Sequence, residues 1–213
     1  MRIVLTRPEG ENEELAERLR EAGHDVAVCP LIAIEPLGDE PIELAGYDWL
    51  VVTSSNGAAE IARRGRGRPA QVAAVGAATA AALRDHGFDV ALVPSRSSQE
   101  GLLGEFPRSP GRVLLAAAEG ARGLFVERTG ADHVPLYATR ELRPDAFPDA
   151  DLVVVGSGSA ARALARIRTD VPVVTIGPMT SETARAAGLE VRAEAETQDS
   201  EGLARAVARA AAT

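Results

Sequence analysis

A strand, a tight turn and a helix occur twice in this chain at a constant separation, and no other feature restricts its folding as much. Val72-Ala73-Ala74-Val75-Gly76-Ala77-Ala78-Thr79 returns as Val173-Val174-Thr175-Ile176-Gly177-Pro178-Met179-Thr180. Gly177 follows Gly76 by 101 residues, and the same 101 separates Gly188 from Gly87 and Leu203 from Leu102. A spacing kept without insertion through two strands and into a following helix means that one supersecondary unit is used twice. Looser copies extend it: residues 2–10 parallel residues 112–120, and residues 48–54 parallel residues 151–157.

Short β-branched runs alternate with Ala- and Arg-rich stretches of helical period, which predicts βα units on parallel sheets. Ten strands are expected: Ile3–Thr6, Val26–Cys29, Trp49–Thr53, Val72–Val75, Val90–Val93, Val113–Ala116, His133–Leu136, Leu152–Val155, Val173–Ile176 and Val191–Ala193. Five fall in each half, as expected for a duplicated flavodoxin-like unit. Thr6 and Asn56 are expected to open helices, and Gly23, Gly87, Gly130 and Gly188 to close them in left-handed caps. Two Pro-punctuated segments, residues 32–38 and 137–144, sit at equivalent places. If they are loops, the halves divide near Ser109-Pro110-Gly111; if they are crossovers, each passes the chain from one domain to the other. Periodicity alone leaves both open.

With 213 residues and 46% apolar content the chain can bury a sizeable core. Its aromatic share is only 3%, so that core is expected to be aliphatic, and a stacking platform for nucleic acid is disfavoured. A net charge of −8 with pI near 5.0 argues against broad binding to nucleic acid or anionic membrane. The single cysteine, Cys29, excludes an intramolecular disulfide framework and suits a reducing cytoplasm. No leader-like start or membrane-length apolar run stands out. Small-molecule partners are expected, with no nucleic acid and no membrane.

In an open parallel sheet, ligands bind beyond the carboxyl ends of the strands, where helix N-termini aim backbone N–H groups outward. Four such ends carry small polar residues: Thr53-Ser54-Ser55-Asn56, Gly76-Ala77-Ala78-Thr79, Gly156-Ser157-Gly158-Ser159 and Gly177-Pro178-Met179-Thr180. Each suits a carboxylate or phosphate, and each taken alone also suits plain capping. Arg7 and Arg122 stand at nearby stages of the two copies and could clamp anions. Tyr137 stands out among scarce aromatics, as a packing residue or as a hydrogen-bond donor. No Walker lysine, dinucleotide fingerprint, catalytic triad or paired metal ligands occur; every one of the 23 cations is Arg.

The pieces Leu5-Thr6-Arg7-Pro8, Thr53 to Ala58, Val75 to Ala80, Ser98-Gln99-Glu100-Gly101-Leu102, Tyr137-Ala138-Thr139, Ile176 to Thr180 and Ser200 to Ala204 appear in an order and spacing that resembles the uroporphyrinogen-III synthase family along the whole chain. The resemblance implies an α/β fold of two flavodoxin-like lobes joined by a two-stranded β-ladder hinge. Lobe 1 would be residues 1–35 plus 144–213, lobe 2 residues 38–137, and the hinge strands 33–38 and 137–143. It further implies a cyclising hydro-lyase of tetrapyrrole and haem biosynthesis. Such an enzyme closes hydroxymethylbilane, a linear polycarboxylate tetrapyrrole, to uroporphyrinogen III with inversion of the last ring through a spiro intermediate in an interlobe cleft. No cofactor and no metal are implied, and a cytoplasmic monomer is expected.

By the same resemblance, Tyr137 assists departure of the substrate hydroxyl as a general acid. Arg7, Ser54, Ser55, Asn56, Gly76, Thr79, Arg122, Ser157, Gly158, Gly177, Met179 and Thr180 bind substrate. The chain departs from the family at Ala117, where many relatives carry Arg, and at Gly156, where many carry Thr. Arg140 or Arg96 would then replace one carboxylate clamp. The rival reading is a two-lobed anion-binding or sensor module that keeps the turns and performs no chemistry.

Overall fold

In the computed structural model, which describes residues 1–121 and 123–212, the chain opens with β1 (Arg2–Leu5), α1 (Glu13–Glu21), β2 (Asp25–Val28) and β3 (Ile32–Pro36). There follow β4 (Ile42–Glu43), β5 (Trp49–Val52), α2 (Ser55–Arg64), β6 (Gly65–Arg66), β7 (Gln71–Ala74), α3 (Ala77–Asp85), α4 (Gln99–Glu105), β8 (Val113–Ala118), α5 (Leu124–Thr129) and β9 (Asp132–Glu141). The chain continues through β10 (Leu152–Val155), α6 (Gly158–Ala165), β11 (Val173–Thr175), α7 (Pro178–Ala186), β12 (Val191–Glu194) and α8 (Ser200–Ala211). Two compact units result: Met1–Ala33 with Arg140–Thr213, and Ile34–Thr139. The boundaries fall inside β3 and β9.

The first unit carries the sheet β2-β1-β10-β11-β12, its pairs parallel. Alternation along the strands supplies two cores. Ile3, Leu5, Leu152 and Val154 point to the face covered by α1 and α8, whereas Val4, Val153 and Val155 point to the face covered by α6 and α7. A strand covered on both faces has no polar side to offer, which is why Leu152-Val153-Val154-Val155 reads as an unbroken apolar run. The second unit has the order β9-β8-β5-β7, with β3 beside β9. Leu50 and Val52 face α2 and α3; Val51 faces α4 and α5.

The expected glycine caps form, with φ of +85° at Gly23, +78° at Gly87, +68° at Gly130 and +84° at Gly188. Other expectations need correction. Residues 90–93 make only an isolated bridge, Ala73 to Leu92, because the N–H groups of Ala91 and Leu92 both turn to the Val72 carbonyl. The short strands β4 and β6 lie outside the expected elements, whereas β3 overlaps the segment 33–38 expected to be a strand. Thr6 does not cap α1, which starts at Glu13 behind Asn12; the Thr6 hydroxyl instead donates to the buried Val154 carbonyl at 2.8 Å. Asn56 lies within the first turn of α2, whose cap is Ser54. Among the described residues, no helix is long and apolar enough to cross a membrane.

Candidate active site

The four polar turns all stand at the carboxyl ends of parallel strands, but they are built in two ways. After β5 and β10 the cap is a serine in extended conformation. Ser54 Oγ accepts the Gly57 N–H at 3.0 Å, and Ser157 Oγ accepts the Ala160 N–H at 3.2 Å. After β7 and β11 the cap is Gly76 or Gly177, which offers no side-chain acceptor. Both backbones are extended, with φ of −167° and 170°, so no conformational need selects glycine. Space is tight at Gly76, where a Cβ would lie 2.8 Å from Ser97 Oγ and 3.1 Å from Ser97 Cβ; at Gly177 a Cβ would lie 2.9 Å from Gln198 Nε2, the end of a flexible side chain that can move aside.

The first N–H groups of a helix lack intrahelical partners, so a glycine cap leaves them for another acceptor. Thr79 and Thr180 sit on the same first turns, only 5% and 6% exposed, and among the described residues neither hydroxyl has a hydrogen-bond partner. Helix α7 offers fewer donors than α3, because Pro178 has no N–H and the Thr180 N–H is drawn back to the Gly177 carbonyl at 3.1 Å. Met179 is exposed at 46%. Ser55 is exposed and Asn56 half-buried on the first turn of α2.

Tyr137 comes to one of the serine turns. Its hydroxyl lies 2.8 Å from Ser54 Oγ, across 83 residues of sequence, while the ring is buried in the second unit's core. A bulge in β9 puts it there. Ala117 pairs with Pro135 but Ala118 with Tyr137, so one residue is extra, and the consecutive Leu136 and Tyr137 both join the same core cluster. If Ser54 donates to the phenol oxygen, the phenolic proton is left for a different acceptor; the reverse sense holds the ring in place. Register shows what the first unit has instead. β1 pairs Leu5 with Val28 and β8 pairs its counterpart Leu115 with His133, so Pro30-Leu31-Ile32 corresponds to Pro135-Leu136-Tyr137. Ile32 stands where the second unit has its phenol.

Arg7 serves the other serine turn. Its aliphatic stem crosses Gly156, where a Cβ would meet Arg7 Cγ at 2.9 Å, so the departure to glycine makes room for this arginine. The guanidinium pairs with Glu11 at 3.3 Å and is 22% exposed. The loop is tied by Asn12, whose Nδ2 donates to the Arg7 and Pro8 carbonyls at 3.0 and 2.9 Å. Gly158 is a packing residue: a Cβ there would lie 3.0 Å from Thr183 Oγ1 on α7. Arg122 lies outside the described residues. Sequence reasoning missed Asn12, Ser97 and Gln198; for the last two, their own 101-residue separation was the available signal.

Two doubly covered sheets built mainly of parallel strands, with helix N-termini and one phenol at their strand-end turns, define an α/β protein of the kind that takes ligands beyond its strand ends. A family model described as uroporphyrinogen-III synthase HemD matches residues 13–205, and the chain belongs to that family. It is 25% identical to a uroporphyrinogen-III synthase of Synechococcus elongatus over 96% of this chain and 93% of the relative. It is 23% identical to a putative uroporphyrinogen-III synthase of Methanocaldococcus jannaschii over 85% and 88%. Its fold is similar to that of crystallised uroporphyrinogen III synthases from Thermus thermophilus, a mutant form (TM-score 0.67, 15% identity, 100% and 99% coverage), and Helicobacter pylori (TM-score 0.65, 15% identity, 98% and 99% coverage).

Proposed function

We propose that this protein is a uroporphyrinogen-III synthase that cyclises hydroxymethylbilane, with inversion of the terminal pyrrole ring and loss of water. The family match over residues 13–205 carries the reaction, and the Tyr137–Ser54 hydrogen bond at 2.8 Å is the observation that carries its mechanism. Tyr137 gives a proton to the departing hydroxyl, and Ser54 holds the phenol and replenishes it. Phenol is a weak acid, with pKa about 10, so it suits a leaving group that needs a proton only as the bond breaks. The azafulvene so formed is electrophilic; ring closure at the substituted carbon gives the spiro species, which fragments and recloses inverted. Positioning of a flexible chain does the rest.

The substrate's carboxylates are held by each unit through its own turns. In the second unit these are Ser55, Asn56, Gly76, Thr79 and Arg122; in the first, Arg7, Ser157, Gly158, Gly177, Met179 and Thr180. Open N–H groups at Gly76 and Gly177 and the partnerless threonine hydroxyls support this assignment. The units function as flavodoxin-like lobes, residues 1–35 plus 144–213 and residues 38–137, with 33–38 and 137–143 as a hinge ladder. In chain order the first unit's sheet reads 2-1-3-4-5, which supports the flavodoxin comparison. An anion-binding module without chemistry is not favoured, because the family match spans nearly the whole chain.

The test is isomer analysis by chromatography after the purified protein meets freshly generated hydroxymethylbilane. The type III isomer is expected; the type I isomer alone, as from uncatalysed closure, refutes the assignment. Tyr137→Phe should lower kcat by about 10²-fold, the low end for loss of a general acid, with an unchanged melting temperature. Full activity in that variant removes Tyr137 from the mechanism.

A further inference from the structure

The duplicated architecture exposes a second site within the second unit, remote in sequence from the turns. In the first unit α1 spans nine residues and α8 twelve, and the two pack along one face of the sheet. Their counterparts are α5, of six residues, and α4, of seven. Register supports the correspondence, since Leu15 and Phe125 are both fully buried, as are Leu203 and Leu102. The shortened pair leaves a cavity of about 540 Å³ lined by Leu103, Gly104, Phe106, Pro107 and Leu124, with Arg108 and Arg128 also in its wall. That volume lies within the range of small-ligand sites, roughly 300–1,000 Å³.

Charge makes the cavity more than a packing defect. In the first unit the corresponding arginines are neutralised: Arg18 pairs with Glu14 at 3.0 Å, and Arg209 with Glu196 at 3.3 Å. In the second unit the arginines remain as Arg128 and Arg108, but Leu124 replaces the first acid and Ser95 the second. Among the described residues neither Arg108 nor Arg128 has an ion pair or hydrogen bond. One carboxylate, Glu100, also lines the cavity. Two arginines against one carboxylate leave the wall with a surplus of positive charge. The acid-to-leucine change at position 124 removes a counter-charge and adds apolar surface in the same step.

We propose that this cavity binds a small amphiphilic anion, an aliphatic or aromatic body carrying one oxyanion group. The body rests on Leu103, Phe106 and Leu124, and the oxyanion is taken by the guanidinium forks of Arg108 and Arg128, whose planar geometry fits such a group. The site is independent of the assignment of the reaction.

Fluorescence titration with 8-anilinonaphthalene-1-sulfonate, followed by displacement with decanoate, tests it. Saturable one-to-one binding is expected in the wild type, with displacement by decanoate. Arg108→Ala with Arg128→Ala should weaken binding roughly tenfold or more, the usual scale for lost charged hydrogen bonds. Gly104→Leu should abolish binding by filling the cavity. A Cβ at Gly104 meets nothing within 4 Å, so this variant is expected to melt no lower than the wild type. Absence of saturable binding, binding of undiminished affinity in the arginine variant, or binding retained in Gly104→Leu overturns the proposal. Should Gly104→Leu fail to fold, the arginine variants decide alone.

Discussion

The two copies of the strand–glycine–helix unit share a backbone and differ beneath it. Under the Gly177 turn, Thr175 Oγ1 lies 2.6 Å from Ser181 Oγ, which in turn donates to Glu194. The corresponding residues under the Gly76 turn are Ala74, Ala80 and Val93, all apolar. The serine turns diverge in the opposite sense: Ser54 meets Tyr137, whereas Ser157 only caps its helix and Ile32 takes the place of the phenol. The two copies therefore keep the extended caps and differ in the side chains that support them. A phenol in one copy alone suits the proposed reaction, which acts on one end of its substrate.

The largest expected effect probes what the copies share. A Cβ at Gly101 would stand 2.1 Å from the Arg96 carbonyl oxygen, and one at Gly202 would stand 2.2 Å from that of Thr197. These are backbone atoms that cannot turn aside, so Gly101→Ala and Gly202→Ala should each cost about 3 kcal/mol, the upper range for overpacking. Urea unfolding checks this. A loss in one copy only would break the equivalence.

Next comes the divergence of the serine turns. Ser54→Ala and Ser157→Ala should each lose about 1 kcal/mol of stability as caps. Ser54→Ala should also lower kcat roughly tenfold, since it removes the partner of the phenol. Ser157→Ala should raise KM and leave kcat alone, because binding is lost equally in ground and transition states. Equal kcat losses in steady-state assays would erase the distinction.

The smallest effect concerns the caps of α4 and α8. Ser98 Oγ accepts the Gly101 N–H at 3.0 Å, and Asp199 Oδ1 accepts the Gly202 N–H at 2.7 Å. That backbone bond holds the Asp199 carboxyl below its ordinary pKa. A depressed folded-state pKa stabilises above the unfolded value, about 4, and the stabilisation is lost as pH falls through the lowered value. Asp199→Ala should thus cost about 1 kcal/mol at pH 7 and progressively less below about pH 4, whereas Ser98→Ala should cost the same at both. Unfolding at pH 7 and pH 3 separates them.

Much of the α/β framework was legible because it is local. Unbroken apolar runs such as Leu152 to Val155 report burial on both faces, and a glycine after a helix reports its left-handed cap. The failures have local causes too. Residues 90–93 have strand composition but keep only one bridge, and Thr6 does not cap α1 because the loop after β1 delays the helix to Glu13, with the Asn12 side chain spent on tying that loop.

The sequence by itself determined that one βα unit is used twice, where its polar turns fall, and which glycines recur. Only the tertiary structure decided what approaches those glycines and which side chains meet. Ser97 approaches Gly76 and the stem of Arg7 crosses Gly156, whereas Gly177 faces only the flexible side chain of Gln198. Tyr137 reaches Ser54 because the bulge at Pro135 and Leu136 shifts the strand by one residue. Spacing along a chain fixes periodicity and local caps, whereas a contact between residues 83 apart depends on strand order and register, which packing of the whole sheet selects.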